Sequence, residues 1–192
     1  ERGASMATPS VIHIVGISGS LRETSYNSAA LKAAGELLPE GVTLERAGIG
    51  DLPLYNDDLR LQGYPASVQR LREHLTAADG VLLVTPEYNY SVPGVLKNAI
   101  DWASRPPDQP FDGKPVAIMG ASPGMLGSAR AQYHLRQMLV FLNAYVLNRP
   151  EVMIAQAAGK FDDAGTLTDA PTREFLQTFL AAFADWVRRM SS

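Results

Sequence analysis

The stretch VIHIVGISGSLRETSYNSAAL, residues 11–31, decides the fold. It begins as an apolar, β-branched run and breaks into small and hydroxylated residues carrying one arginine. It then takes up helical spacing, with Ala29, Ala30, Ala33, Ala34, Leu37 and Leu38 on one periodic stripe before Pro39 and Gly41 end it. A buried strand feeding straight into a helix is the opening of a βαβ unit. Ser18, Ser20, Arg22, Ser25 and Asn27 fall where that strand surfaces, so the turn either caps a helix or receives an anion.

Working outward, the same alternation recurs. Apolar runs stand at 42–49, 81–85 and 115–121, with a weaker one at 144–148 that resumes at 151–155. Helical patterns lie between and after them at 66–78, 92–104, 127–143 and 171–190. The short central runs are apolar throughout, as strands covered on both faces are. Strands alternating with helices predict one α/β domain over residues 11–192, a parallel sheet wrapped on both sides. On the last helix, Phe175, Phe179, Ala182 and Trp186 read as a core-facing stripe.

Composition bounds the function. The 192 residues are 46% hydrophobic and 19% charged, with a formal net charge of -3, and no basic tract suggests nucleic acid. The absence of cysteine excludes disulfides, thiolate metal sites and a cysteine nucleophile. No apolar run approaches the ~20 residues of a membrane span. Residues 1–10 read as a vector-derived scar and a disordered N-terminus, with Met6 as the natural start and the cytoplasm as the expected location. His13, His74 and His134 lack ligand-type spacing and read as structural, and Asp57-Asp58 and Asp162-Asp163 as solvated loop charges, so no metal site is expected.

In an open α/β sheet a ligand lies outside the carboxyl ends of the strands, where the strand order reverses. The segments to read are therefore 18–27, 86–94 and 121–127. The first offers free N–H groups at a helix start, hydroxyls, and the planar Arg22 fork. It is neither GxGxxG nor GxxxxGK[ST], which favours a terminal monophosphate, as in FMN, over a bridging pyrophosphate. The second, Pro86-Glu87-Tyr88-Asn89-Tyr90, is rigid, aromatic and rich in hydrogen-bonding groups, as a wall for a flat amphipathic ring would be. The third, with Ser122, Pro123, Gly124 and Gly127, lets backbone approach a ligand. Each loop also has a plain structural reading, as helix cap, surface turn or connection.

GSLRETSYN (19–27) with TPEYNYSVPGVLKNAIDW (85–102) resembles the NAD(P)H-dependent FMN reductases, which include bacterial quinone, chromate and azo-dye reductases. The likeness continues through DLPLYNDDL (51–59), FDGKPVAI (111–118) and AQYHLRQMLVFLNA (131–144). It implies a flavodoxin-like three-layer sandwich with a five-stranded parallel sheet in order 2-1-3-4-5. It implies FMN phosphate and ribityl contacts at Ser20, Arg22, Ser25 and Asn27, with Leu21 and Tyr26 in the same loop. The isoalloxazine loop would be Glu87, Tyr88, Asn89 and Tyr90, and Ser122 would make a third contact.

The implied activity passes hydride from NADPH or NADH through FMN to a small acceptor, a quinone foremost, with chromate, azo compounds or free flavin open. No catalytic side chain is expected, because the cofactor does the chemistry. Arg22, Arg105 and Arg130 are candidate partners for a 2′-phosphate. A homodimer or homotetramer is implied, and Tyr90, Val92, Val95, Lys97 and Trp102 are candidates for its boundary. The rival reading is a flavodoxin-type electron carrier, which would carry a strongly acidic surface around the flavin to suit basic partners.

Overall fold

The computed structural model describes residues 11–191, so the expectations for residues 1–10 lie outside the described residues. Strand β1 (Ile12–Ser18) leads into helix α1 (Tyr26–Glu36), and β2 (Val42–Arg46) follows. A short helix α2 (Asp57–Leu61) precedes α3 (Ala66–Ala77), β3 (Gly80–Val84) and α4 (Gly94–Ala103). Then come β4 (Pro115–Ala121), α5 (Ala129–Phe141), β5 (Tyr145–Val146), β6 (Val152–Ile154) and α6 (Ala170–Met190).

The pairings are parallel and the order is β2-β1-β3-β4-β5, with β6 also on β4. The fifth position is thus shared by two short strands. β5 pairs with Pro115 and Val116 at the start of β4, and β6 with Met119, Gly120 and Ala121 at its end. The interruption contains the Arg149-Pro150 break between the two apolar runs.

Period-two alternation divides β1 between two cores. Ile12 and Ile14 join Leu31, Leu82, Met119, Phe179 and Phe183 beneath α1 and α6. Val15 and Ile17 join Leu71, Leu83, Leu96, Ile118 and Leu135 beneath α3, α4 and α5. Each fully buried side chain of this size contributes roughly 1.5–3 kcal/mol, and these two layers clamp the sheet.

Three readings shift. The 57–61 helix was not anticipated, although Asn56 caps it by accepting from Asp58 N at 2.9 Å and two aspartates sit in its first turn. On α6 the buried stripe is Leu176, Phe179, Leu180, Phe183 and Val187, whereas Phe175 is 44% exposed. Trp102 is fully buried and donates to Pro53 O at 2.8 Å, so it belongs to the core and not to a boundary. Among the described residues no helix is long and apolar enough to cross a membrane.

Candidate functional site

The strand order reverses between β1 and β3, so the loops leaving β1, β3 and β4 meet at one end of the sheet. Ser25 is the N-cap of α1, its hydroxyl accepting from Asn27 N at 3.2 Å and Ser28 N at 3.3 Å. Ser20 is buried and accepts from Arg22 N at 3.3 Å, which folds the turn tightly. Arg22 is exposed and, among the described residues, held only by Thr24 through its hydroxyl at 2.9 Å and its carbonyl at 3.3 Å. Among the described residues the amides of Leu21, Glu23, Thr24 and Tyr26 have no acceptor. Four unpartnered N–H groups at a helix start, with the guanidinium beside them, are an anion-binding arrangement.

Asn27 does something the sequence did not disclose. β3 gives its last rung where Thr85 N donates to Met119 O at 2.9 Å, which leaves Ala121 of β4 without a strand neighbour on that side. The Asn27 amide takes the place of the missing strand. Its oxygen accepts from Ala121 N at 2.9 Å and its nitrogen donates to Ala121 O at 3.0 Å, with the residue only 3% exposed. The first and third loops are thereby strapped together.

Glu87 plays the matching part for the second loop. Its carboxylate accepts from Arg130 N at 3.0 Å and Ala131 N at 3.3 Å, capping α5, and pairs with the Arg130 guanidinium. Burial alone would push this carboxyl up. The Arg130 guanidinium and the two backbone N–H groups outweigh that and hold it below the usual carboxylate range. Arg130 continues over the Tyr90 ring, 3.4 Å from its centroid.

The Tyr88–Ser91 turn is closed by reciprocal backbone bonds of 3.1 and 3.0 Å, with Asn89 and Tyr90 both at positive φ. Asparagine tolerates that region well and tyrosine does not, so Arg130 holds a strained turn in place. Tyr88 and Tyr90 are exposed, and the amides of Glu87, Asn89 and Tyr90 have no acceptor among the described residues. His134 also reaches this loop, its Nδ1 lying 2.9 Å from Ser91 Oγ.

In the third loop the Ser122 hydroxyl rests 3.4 Å from Gly124 O, a weak tether, while Ser122 N donates to Ile154 O of β6. Gly127 and Ser128 both have positive φ, and a Cβ on Gly127 would lie 2.5 Å from the Met153 carbonyl carbon. Buried Gln132 secures this corner by donating to Val152 O at 2.9 Å. Of the three arginines considered for a 2′-phosphate, Arg130 is taken by Glu87. Arg105 is likewise engaged, donating to Asp101 O at 2.9 Å and Ser104 Oγ at 3.1 Å.

The ion pair gives a testable pH dependence. A carboxyl held low in the folded state stabilises the protein fully above its unfolded value, about 4.3, and that contribution disappears as pH falls through the lowered folded value. The difference in denaturation midpoint between wild type and Glu87→Gln is therefore largest near neutrality and shrinks below about pH 4. A pH-independent difference in urea titrations would contradict this.

Fold and loop placement define a flavodoxin-like α/β protein. The sequence matches the NADPH-dependent FMN reductase family over residues 12–159. It is 59% identical over 179 residues to an NAD(P)H-dependent FMN reductase of Pseudomonas aeruginosa, covering 93% of this chain and 97% of that one. It is 46% identical over 182 residues to a quinone reductase of Escherichia coli, with 93% and 97% covered. The solved flavoenzyme NAD(P)H:(acceptor) oxidoreductase FerB of Paracoccus denitrificans superposes with a TM-score of 0.86 at 42% identity, covering 94% of this chain and 99% of that one. The chain belongs to the NADPH-dependent FMN reductase family, and it is an oxidoreductase.

Proposed function

We propose that the three-loop cleft holds FMN and that the chain passes reducing equivalents from NAD(P)H to a quinone in that cleft. One observation carries the reading: two sets of unpartnered backbone amides, at Leu21, Glu23, Thr24 and Tyr26 and at Glu87, Asn89 and Tyr90, stand on loops that meet where the strand order reverses. The first set suits a phosphate and the second the polar edge of a flat ring. Bound FMN would supply the electron-transfer chemistry, and the protein would bind and orient it.

On this reading the residues divide their work. Ser20, Leu21 and Arg22 line the phosphate turn with the Tyr26 amide, and Tyr88, Asn89, Tyr90 and Ser122 border the ring. Ser25, Asn27 and Glu87 have their side chains committed to the protein and position the loops. No side chain is required to donate or remove a proton in this account. The amides of the 87–90 turn are placed to stabilise negative charge growing on a reduced ring, as an oxyanion hole does.

Quinone is the favoured acceptor because a flat ring can stack where a flat ring is exposed. The relatives named quinone reductases support the same choice. A homo-oligomer is part of this reading, supported by apolar residues left open along α5 and before it: Met125, Leu126, Tyr133, Val140 and Phe141 are 50–87% exposed. So is a cytoplasmic location.

Steady-state NADPH oxidation by the FMN-loaded protein tests the acceptor. With 1,4-benzoquinone, chromate, an azo dye and free FMN compared side by side, the quinone should give the highest kcat/KM. A higher value for any of the others would replace quinone as the substrate class.

A further inference from the structure

Tyr90 stands where a tyrosine is poorly suited. Among the described residues the other non-glycine positions of positive φ are Asn89, Asp108, Ser128, Asn143 and Gln156, all of them polar. Asparagine and aspartate tolerate the left-handed region through short side chains that bond locally, and a tyrosine has no such means. Tyr90, at φ 66°, is the aromatic exception. It is also 66% exposed, so burial of its ring offsets little of the cost. A two-residue turn with both central residues at positive φ favours Asn-Gly. The chain supplies the asparagine and then a tyrosine where glycine would relieve the strain.

What the ring meets there is Arg130, whose guanidinium carbon lies 3.4 Å from its centroid. Arg130 is itself pinned. Its guanidinium pairs with Glu87, and the same carboxylate accepts from Arg130 N and Ala131 N at the start of α5. The Glu87 side chain is only 8% exposed, so this anchor is shielded from water. Turn and helix are therefore fastened at two points, Glu87 just ahead of the turn and the Tyr90 ring within it. Without the stack, the Tyr88–Ser91 backbone bonds of 3.1 and 3.0 Å would oppose the strain alone.

The form of the turn decides which amides are free. Those of Tyr88 and Ser91 are used in its own bonds, whereas those of Asn89 and Tyr90 have no acceptor among the described residues. A change of sign in φ at Tyr90 would swing the rigid peptide plane before it, and the Tyr90 N–H with it.

We infer that Arg130 is a positioning residue for the flavin: through the Tyr90 ring it holds the 88–91 turn in the left-handed form that leaves the Asn89 and Tyr90 amides free for the ring edge. The inference rests on the reading that the cleft holds FMN. Arg130 acts through the turn, and the tyrosine is the handle by which it does so.

Tyr90→Ala removes the ring and keeps the backbone strain, whereas Tyr90→Gly removes both, so the pair separates the handle from the strain. In FMN titrations followed by flavin fluorescence, Tyr90→Ala and Arg130→Ala should bind about tenfold more weakly than wild type, the factor set by the cost of one strained residue. Tyr90→Gly should stay within about twofold of wild type, as should Tyr90→Phe, which keeps the ring. Arg130→Ala introduced alongside Tyr90→Gly should cost nothing further. Equal weakening in Tyr90→Ala and Tyr90→Gly would assign the ring a direct flavin contact and overturn the inference. Unchanged FMN binding in Tyr90→Ala would overturn it too, as would an Arg130→Ala loss just as large beside Tyr90→Gly as in wild type.

Amide hydrogen exchange in the flavin-free protein reads the turn by itself. The Tyr88 and Ser91 amides should exchange about tenfold faster in Tyr90→Ala and Arg130→Ala and at the wild-type rate in Tyr90→Gly. If wild type takes up no FMN, the flavin reading fails, and the exchange pattern still decides whether Arg130 holds the turn. Exchange at the wild-type rate in Arg130→Ala would show that it does not.

Discussion

Replacing Asn27 with alanine should lower stability by about 3 kcal/mol and loosen FMN binding together, because it strands two buried main-chain groups at once. The Asn27 amide is the acceptor for Ala121 N and the donor to Ala121 O, at 2.9 and 3.0 Å, in a spot that is 3% exposed and closed to water. Leaving a buried polar group unpaired costs roughly 1–3 kcal/mol, and here there are two, plus a small cavity. The loss reaches the site because Ala121 begins the third loop and Asn27 lies in the first turn of α1. Urea denaturation and FMN titration should therefore both change, whereas a variant that altered only one of them would show that the strap does not couple the loops. Asn27→Asp is the informative companion. It keeps the acceptor for Ala121 N but sets a carboxylate oxygen against Ala121 O, so it should rescue at most part of the loss.

Gly120→Val should be the most damaging single change in the sheet, at about 3–5 kcal/mol, enough to unfold a marginally stable domain at 37 °C. A Cβ at this position would lie 1.9 Å from Ser128 Oγ and 2.3 Å from Thr85 O. The serine could rotate, but the Thr85 carbonyl is backbone at the exit of β3 and can only move with the strand. Thr85 also leads directly into Pro86 and the 86–91 turn, so the strain falls on the proposed site. Gly120→Ala should show the same effect in milder form. A melting curve for Gly120→Val that matches wild type would mean that β3 and β4 can separate here without cost.

The βα alternation and the strand order were legible because buried parallel strands read as short, continuous apolar runs and because the loops follow them at fixed places. The interruption of the last strand was legible too, from Arg149 and Pro150, although the strands on either side are shorter than the apolar runs. The α2 helix was not, since it is held by the Asn56 cap and not by an apolar stripe. On α6 Phe179 is buried and Ala182 and Trp186 pack against the core as read, and only Phe175 was misplaced, since it adjoins the buried Leu176 and either could begin the stripe.

At the site, the sequence located the three loops but not the tasks of their side chains. Asn27, Ser25 and Glu87 looked like ligand-facing donors and acceptors, yet their partners are Ala121, the α1 amides and Arg130. The Ser25 cap is local and was one of the readings the turn allowed, but the Asn27 and Glu87 pairings span 94 and 43 residues of sequence, and nothing in local spacing encodes them.

The carrier reading gains nothing from the geometry, since the 18–27 turn carries an arginine without an ion-pair partner among the described residues and the 86–91 turn lies under an arginine stacked on Tyr90. The most direct test of the account is an anaerobic titration of the FMN-loaded protein with NADPH, followed by flavin absorbance. Bleaching complete at one equivalent of NADPH per flavin, in a single two-electron step, is the predicted result. A flavin that binds but stays oxidised in excess NADPH, or a protein that binds no FMN, would contradict it.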